Sequence, residues 1–427
     1  MRVVANPRTI RIGLLGCGNV GAALVPLIAR QASSIEARTG LRLEIARIAV
    51  RNLSRDRGIS LPEGMLTRDA MSVVEDPDVD LVVELIGGIE PARELITAAL
   101  QSGKPVVTGN KELLANVGAE LFAIADSKGV DLLFEAAVAG GIPVLGPLAS
   151  DLAANDIVRV RGIVNGTTNY ILTAMAHEGR PYSDILIDAQ ELGYAEADPS
   201  GDVEGDDAVN KLVILARLGF GAWLDPDSVV RRPPTVHGTG EPGITGVRDR
   251  EMEGAAALGL TLKLLASATR DGDTVMGAVV PTAVPADSPF GWTDGVENRV
   301  EIEAAPLGTV RLSGPGAGGA ATSSAVLGDL LAIARGGTST WAGLPVIDGP
   351  SVAAVAPLEG ARHWYAFLPA VRHGIETLPT ALDEAASVAF EDGTAIRSEV
   401  VPLAEVRAAF ASILPDGVDV TLYPVDD

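Results

Sequence analysis

TIRIGLLGCGNVGAALVPLIARQ, Thr9 to Gln31, settles how the front of this chain folds. The apolar run TIRIGLL reads as a strand, followed at once by Gly16, Cys17, Gly18, Asn19, Val20 and Gly21 and then by the helical pattern of AALVPLIARQ. A strand, a glycine turn and a helix in that order cradle a pyrophosphate. The first glycine makes the turn, the second lets the backbone approach the phosphates, and the third lets the helix pack closely with its N-terminus toward the anion. A glycine turn without a ligand is the competing reading, and the flanking strand and helix weigh against it.

The next strand, LRLEIARIAV, leads into Arg51 and the loop NLSRDRG. A site for NAD(H) would carry an Asp or Glu there to hold the ribose hydroxyls. Arg51, Arg55 and Arg57 gather instead, and in so acidic a chain this cluster points to the 2′-phosphate of NADP(H). A solvated loop is the alternative. DLVVELIG (Asp80 to Gly87) and KPVVTGNK (Lys104 to Lys111) continue the strands with helices between them, so the expected sheet is parallel and doubly wound. Lys111 then falls at the carboxyl edge of that sheet, where ligands of open α/β sheets bind.

A second chemical stretch runs from Ala189 to Lys211, with Glu196, Asp198, Pro199, Asp202, Gly205 and Asp207 between them. From Asp206 the sequence DDAVNKLVILARLGF has helical spacing, which puts Asp207 and Lys211 on one face near the helix start. Lysine occurs only at 104, 111, 128, 211 and 263, so the few lysines are candidates for work arginine cannot do, namely giving up a proton. Helix capping and a plain ion pair are the structural alternatives for the carboxylates. Upstream, NDIVRVRGIVNGTTNYILTAM reads as two alternating strands bracketing Gly162, Asn165, Gly166, Thr167 and Thr168, a polar cluster suited to a small polar substrate. A hairpin or strand-to-helix turn is the alternative.

The whole chain bounds these readings. At 427 residues, 47% hydrophobic and 21% charged, it is long enough for two or three domains with real cores. A formal charge of −23 excludes nucleic acid and an anionic membrane surface as general partners. One cysteine, Cys17, leaves no internal disulfide framework, and MRVVANPRTI lacks the apolar core of a secretory signal, so a cytoplasmic location is expected. Leu132 to Ala154 is apolar, but Glu135, Gly140, Gly141, Pro143, Pro147 and Asp151 argue for a buried strand, a turn and a helix start rather than a membrane span. The histidines at 177, 237, 363 and 373 are scattered, and no zinc site follows from them. Trp223, Trp292, Trp341 and Trp364 read as core or interface residues.

These motifs in this order resemble the homoserine dehydrogenases. Ala189, Gly193, Asp198, Pro199, Asp202, Val203, Gly205, Asp207 and Lys211 match that family's active-site pattern, and the GxGxxG turn, VTGNK ending at Lys111, GIVNGTTNYIL and GPGAGG (Gly314 to Gly319) match in sequence. The likeness covers roughly residues 9 to 335. It implies reversible NAD(P)H-dependent reduction of L-aspartate 4-semialdehyde to L-homoserine, a step towards threonine, methionine and isoleucine. By the same resemblance Lys211 is the proton donor, and Lys111 faces cofactor and substrate. Glu196, Asp207, Asp202 and Thr167 hold the substrate, while Gly193, Glu196 and Gly316 approach the cofactor beside Gly16, Gly18, Asn19, Val20, Gly21, Arg51 and Arg55. It further implies an Na+ or K+ site built from Glu135 and the carbonyls of Val138, Gly140 and Ile142, and a homodimer or homotetramer formed through the central domain.

The expected architecture is therefore α/β. It has a Rossmann domain over 1–137 completed by a helix near 320–335, an α/β substrate and dimerisation domain over 138–319, and a C-terminal βαββαβ unit over 350–427. A linker, GGTSTWAGLPVIDGPS, separates the last unit, whose order resembles an ACT domain. It departs from that pattern at Val371, Arg372 and His373 before Gly374, so the resemblance does not extend to threonine feedback. No aspartate kinase is expected upstream, because the dinucleotide motif begins at Gly16. Two other functions share these features: a dehydrogenase for another small amino or hydroxy acid, and a catalytically inactive regulator that senses NADP and an amino acid. Retention of Lys111, Asp207 and Lys211 argues against the second.

Overall fold

The computed structural model describes residues 7–341, 344, 358–369, 386–415 and 417–426. Its first part runs β1 (Arg8–Leu15), α1 (Asn19–Thr39), β2 (Leu41–Ala49), β3 (Leu66–Thr67), α2 (Ala70–Glu75), β4 (Leu81–Glu84), α3 (Ala92–Gln101), β5 (Val106–Thr108), α4 (Lys111–Lys128) and β6 (Leu132–Leu133). These strands form one parallel sheet in the order β3-β2-β1-β4-β5-β6. The order reverses between β1 and β4, and at such a switch point the carboxyl ends of the strands leave a crevice. Successive side chains of a strand face opposite sides, so β1 feeds two cores. Ile10, Ile12 and Leu14 pack with Leu24 and Ile28 of α1, while Leu15 joins Leu95, Ile96 and Leu113 on the other side.

The chain then forms α5 (Leu145–Ala149), β7 (Asp156–Ile163), α6 (Gly166–Glu178), α7 (Tyr182–Glu191), α8 (Ser200–Val203), α9 (Asp206–Phe220), α10 (Asp249–Ala257), β8 (Leu260–Asp271), β9 (Thr274–Pro285), β10 (Glu297–Ala305) and β11 (Gly308–Pro315). An antiparallel sheet, β11-β10-β7-β8-β9, carries α6, α9 and α10. Only one strand precedes the polar cluster. The expected second strand, NYILTAM, is part of α6, because Asn165 caps its start by accepting the Thr168 N–H and Gly179 ends it in the left-handed conformation.

Helix α11 (Gly319–Ala334) then returns to the first sheet, where Val326, Leu327, Leu330 and Ala334 join the core of α1. The segment after it is more than a linker at its start. Trp341 is 1% exposed and stacks on Phe122 with centroids 3.7 Å apart, and Thr340 N–H donates to the Leu132 carbonyl. Trp223 and Trp364 are also buried, whereas Trp292 is 67% exposed.

The C-terminal part contains β12 (Trp364–Pro369), β13 (Ala386–Phe390), β14 (Gly393–Arg397), α12 (Leu403–Ala411) and β15 (Tyr423–Pro424) in an antiparallel sheet ordered β13-β14-β12-β15. It docks on α10 through Glu251, whose carbonyl accepts from Tyr365 Oη (2.5 Å) and whose carboxylate accepts from Tyr423 Oη (2.7 Å). The helix expected over ETLPTALDEAA lies largely outside the described residues, as do Val371, Arg372, His373 and Gly374. Among the described residues no helix is long and apolar enough to cross a membrane.

Candidate active site

The glycine turn fits a dinucleotide for reasons visible at each glycine. Gly16 has φ +96, and a Cβ on it would lie 2.6 Å from the Leu85 carbonyl oxygen. A Cβ on Gly21 would lie 2.5 Å from the Gly16 carbonyl oxygen, so this position holds α1 against the turn. A Cβ on Gly18 would meet nothing within 4 Å. The turn is therefore tight at its two ends and open in the middle, at the N-terminus of α1, where backbone N–H groups attract an anion.

Two adjoining cavities open from this turn. The first, about 590 Å³, is lined by Gly16, Cys17, Gly18, Arg51, Asn52, Arg55, Arg57 and Arg68 among others. Arg57 is spent on its own loop, donating to the carbonyls of Arg55 (2.7 Å) and Asn52 (2.5 Å). Arg51, Arg55 and Arg68 are exposed and make no ion pair among the described residues. Arg68 was not expected from the sequence. It enters because β3 pairs with β2, with the Val50 N–H donating to the Thr67 carbonyl.

The second cavity, about 490 Å³, brings together Gly18, Asn19, Val20, Gly21, Arg55, Lys111, Gly140, Glu196, Lys211 and Gly316. Residues far apart in sequence thus meet at the carboxyl edge of the parallel sheet. Gly193 does not line it and instead makes the left-handed turn after α7. Thr167, in the first turn of α6, donates its hydroxyl to the Tyr194 carbonyl at 2.8 Å.

Asp207 does not line this cavity but joins its two lysines, with a side chain 11% exposed. Its Oδ1 lies 3.1 Å from Lys111 Nζ and its Oδ2 2.6 Å from Lys211 Nζ. Asn165 donates to the same Oδ2 at 2.9 Å and to Asp202 Oδ1 at 2.7 Å. Burial alone would raise the Asp207 pKa, but the ammoniums of Lys211 and Lys111 hold it well below the usual carboxylate range. Burial pushes Lys211 below the ordinary lysine value against the pull of Asp207. Lys111 moves the other way, raised mainly by Asp207. Asp198 does not join this group. Its Oδ1 accepts from the N–H and hydroxyl of Ser200 and shapes the loop.

Lys111 is set by a network beneath it. Asn110 caps α4 by accepting the Leu113 N–H and donates to the Gly88 carbonyl. Its own N–H donates to Thr108 Oγ1, which in turn donates to Glu84 Oε2 at 2.6 Å. Glu84 is fully buried at the end of β4, and its other oxygen accepts from the N–H groups of Ile86 and Gly87. The remaining lysines include structural ones. Lys104 donates to the carbonyls of Val74 and Asp76, and buried Lys263 to the Thr293 carbonyl and Asp294. Scarcity of lysine is thus an imperfect guide to chemistry.

A doubly wound sheet with an open glycine turn, facing a cavity with two lysines on one carboxylate, defines a nicotinamide dinucleotide-dependent oxidoreductase. Two family models match the chain: homoserine dehydrogenase, NAD binding domain, over residues 16–135, and homoserine dehydrogenase over 143–331. The chain belongs to the homoserine dehydrogenase family. It is 41% identical to the homoserine dehydrogenase of Bacillus subtilis (strain 168) over 77% of this chain and 73% of that one. It is 45% identical to that of Mycobacterium tuberculosis (strain H37Rv), with the same coverage. A crystal structure of a homoserine dehydrogenase from Thiobacillus denitrificans superimposes with a TM-score of 0.88 at 36% identity, covering 98% of this chain and 99% of that one. A hyperthermophilic archaeal homoserine dehydrogenase in complex with NADPH superimposes with a TM-score of 0.62 at 28% identity, covering 76% and 97%. The activity is the NAD(P)-dependent interconversion of L-aspartate 4-semialdehyde and L-homoserine.

Proposed function

We propose that Lys211 gives and takes the proton at the substrate oxygen in this reaction. The observation that carries the reading is the arithmetic of one ammonium. Of its three N–H groups, one donates to the Val164 carbonyl (2.7 Å) and one to Asp207 (2.6 Å), which leaves one for a substrate oxygen. When bound, the reduced nicotinamide supplies hydride to the carbonyl carbon. Lys211 stabilises the charge that grows on the oxygen and then releases its proton to it. Lys111 adds a second positive charge beside the same cavity. Glu196, Asp207 and Asp202 supply carboxylates for the substrate's α-ammonium, with Thr167 at the start of α6 as a polar neighbour. Gly18 leaves room for the cofactor, and Gly21 and Gly316 line the same cavity.

The unpaired Arg51 and Arg55, joined by Arg68, support NADP(H) over NAD(H), in keeping with the NADPH complex of the archaeal relative. The residues at the proposed cation site also fit. Both oxygens of half-buried Glu135 accept only backbone N–H groups, those of Val144, Leu145 and Gly146. Among the described residues the carbonyls of Val138, Gly140 and Ile142 accept no backbone hydrogen bond. A half-buried carboxylate and carbonyls without a backbone partner suit Na+ or K+, which would supply positive charge there. We also infer a cytoplasmic homodimer or homotetramer joined through the central sheet, where Val158 and Leu307 are exposed apolar residues. The unit boundaries we adopt are 137 and 319.

The test follows NADPH and NADH oxidation with aspartate semialdehyde for the wild type and Lys211→Ala. NADPH-dependent turnover that collapses in the variant supports the reading. Undiminished turnover in Lys211→Ala would remove the lysine's role. Cofactor binding with no wild-type turnover would favour the regulator.

A further inference from the structure

We propose that Asn165 is a positioning residue of the reaction, aiming Lys211 at the substrate through both of the groups that hold it. The inference rests on Lys211 as the acid/base group and adds a residue through which that group is governed.

Asn165 is 5% exposed and precedes α6 with φ −124 and ψ 116. Its Oδ1 accepts the Thr168 N–H at 2.8 Å, which completes an ordinary helix cap. A cap needs only that acceptor, so Ser, Thr or Asp would serve. What those residues lack is the amide nitrogen. Both donors of Nδ2 are spent on carboxylates, Asp202 Oδ1 at 2.7 Å and Asp207 Oδ2 at 2.9 Å.

That Asp207 oxygen is also one of the two acceptors of Lys211. The other is the carbonyl of Val164, the residue directly before Asn165. The conformation of the capping residue adjoins one acceptor and its side chain holds the second. Fixing two N–H vectors of an ammonium fixes the third. The start of α6 is itself closely packed, since a Cβ on Gly166 would lie 2.9 Å from the Val296 carbonyl oxygen.

The amide also solves an electrostatic problem. Asp202 and Asp207 both reach one nitrogen, and two carboxylates that close favour sharing a proton. A neutral double donor between them gives each carboxylate a hydrogen bond without adding charge. The charged groups facing Lys211 are then Asp207 on its own helix, Lys111 at the start of α4 and Asp202 on α8, with Glu196 lining the same cavity. A third carboxylate at position 165 would add to the negative side of that balance.

The test compares Asn165→Ser, Asn165→Asp and Lys211→Ala with the wild type, measuring homoserine oxidation from neutral to alkaline pH. Both Asn165 variants keep a capping acceptor, and thermal melts establish that they are folded. We expect kcat to fall roughly ten- to a hundredfold in each, with the KM for NADP+ unchanged. In Asn165→Asp the alkaline rise of the oxidation rate moves to higher pH, because added negative charge favours the Lys211 ammonium. An unmoved profile in folded Asn165→Asp overturns the proposal whatever kcat does. If that variant does not fold, wild-type kcat in folded Asn165→Ser overturns it and a tenfold loss supports it. Lys211→Ala separates the two claims. A pH rise that survives in it overturns the role of Lys211, whereas its loss there beside an unmoved Asn165→Asp profile overturns only the role of Asn165.

Discussion

Oδ2 of Asp207 lies 2.6 Å from Nζ of Lys211, one turn further along α9. The pair carries a compromise. Burial favours the neutral amine and Asp207 the ammonium, and burial prevails, so Lys211 ionises below the ordinary lysine value. A free lysine titrates at about 10.4. With Lys211 as the proposed proton acceptor, oxidation of homoserine needs the neutral amine, so its rate should climb with pH, with a midpoint below that value. Lys211→Ala and Lys211→Arg should each lower kcat by about 10²–10⁴, since arginine keeps the charge but cannot accept the proton. An alkaline limb in Lys211→Arg matching the wild type would refute the assignment.

Cofactor choice should follow the arginines that are not otherwise engaged. Arg55→Ala and Arg68→Ala should raise the KM for NADPH about tenfold or more while changing that for NADH little, since each removes a donor for the 2′-phosphate. Arg57→Ala should instead loosen the loop it clamps through the carbonyls of Asn52 and Arg55 and weaken both cofactors. Initial-rate kinetics with the two cofactors would decide. Equal loss for NADH and NADPH in Arg68→Ala would count against a phosphate contact.

Glu84 should make stability depend on pH. Burial raises its pKa against the hydrogen bonds from Thr108, Ile86 and Gly87, so its folded value lies above the unfolded one. The stabilising contribution is whole below the unfolded value of about 4.3 and is lost as pH rises through the raised folded value. Glu84→Gln keeps an acceptor for Ile86 and Gly87 and carries no such charge. The variant should therefore gain on the wild type between acid and neutral pH, by roughly 1–3 kcal/mol. Urea melts at both ends of that range test it, and a constant difference between the two proteins would sink it.

How much of this was legible in the sequence depends on whether the signal is local. The glycine turn and the four-residue spacing of Asp207 and Lys211 are local, and both stand as read. NYILTAM reads as a strand yet folds as a helix, because Tyr, Ile and Thr favour strands and because α6 is buried on most sides, which blurs the helical period. Asn165 shows only as a turn residue until Asp202 and Asp207 arrive from other helices. Glu84 closes an apolar strand, and nothing nearby marks it as the acceptor for Thr108. Arg68 reaches its cavity through the pairing of β3 with β2, which periodicity does not reveal.

The glycine turn offers the sharpest separation of fold from function, because its glycines are needed for different reasons. Gly18 has a negative φ (−83), so it needs no left-handed conformation, and a Cβ on it would meet no atom within 4 Å. Gly18→Ala should therefore melt within a degree or two of the wild type. The added methyl occupies the space the pyrophosphate needs, so the Kd for NADPH should rise tenfold or more. Gly21→Ala reverses the pattern. Its Cβ would press to 2.5 Å from the Gly16 carbonyl oxygen, a backbone atom that cannot swing aside, so α1 must shift off the sheet. Overpacking of this kind costs about 1–3 kcal/mol or more, and Gly21→Ala should lose several degrees of Tm as well as cofactor affinity. Calorimetry with a parallel NADPH titration distinguishes the two. Wild-type affinity in folded Gly18→Ala would mean that the dinucleotide does not cross the turn at its open centre.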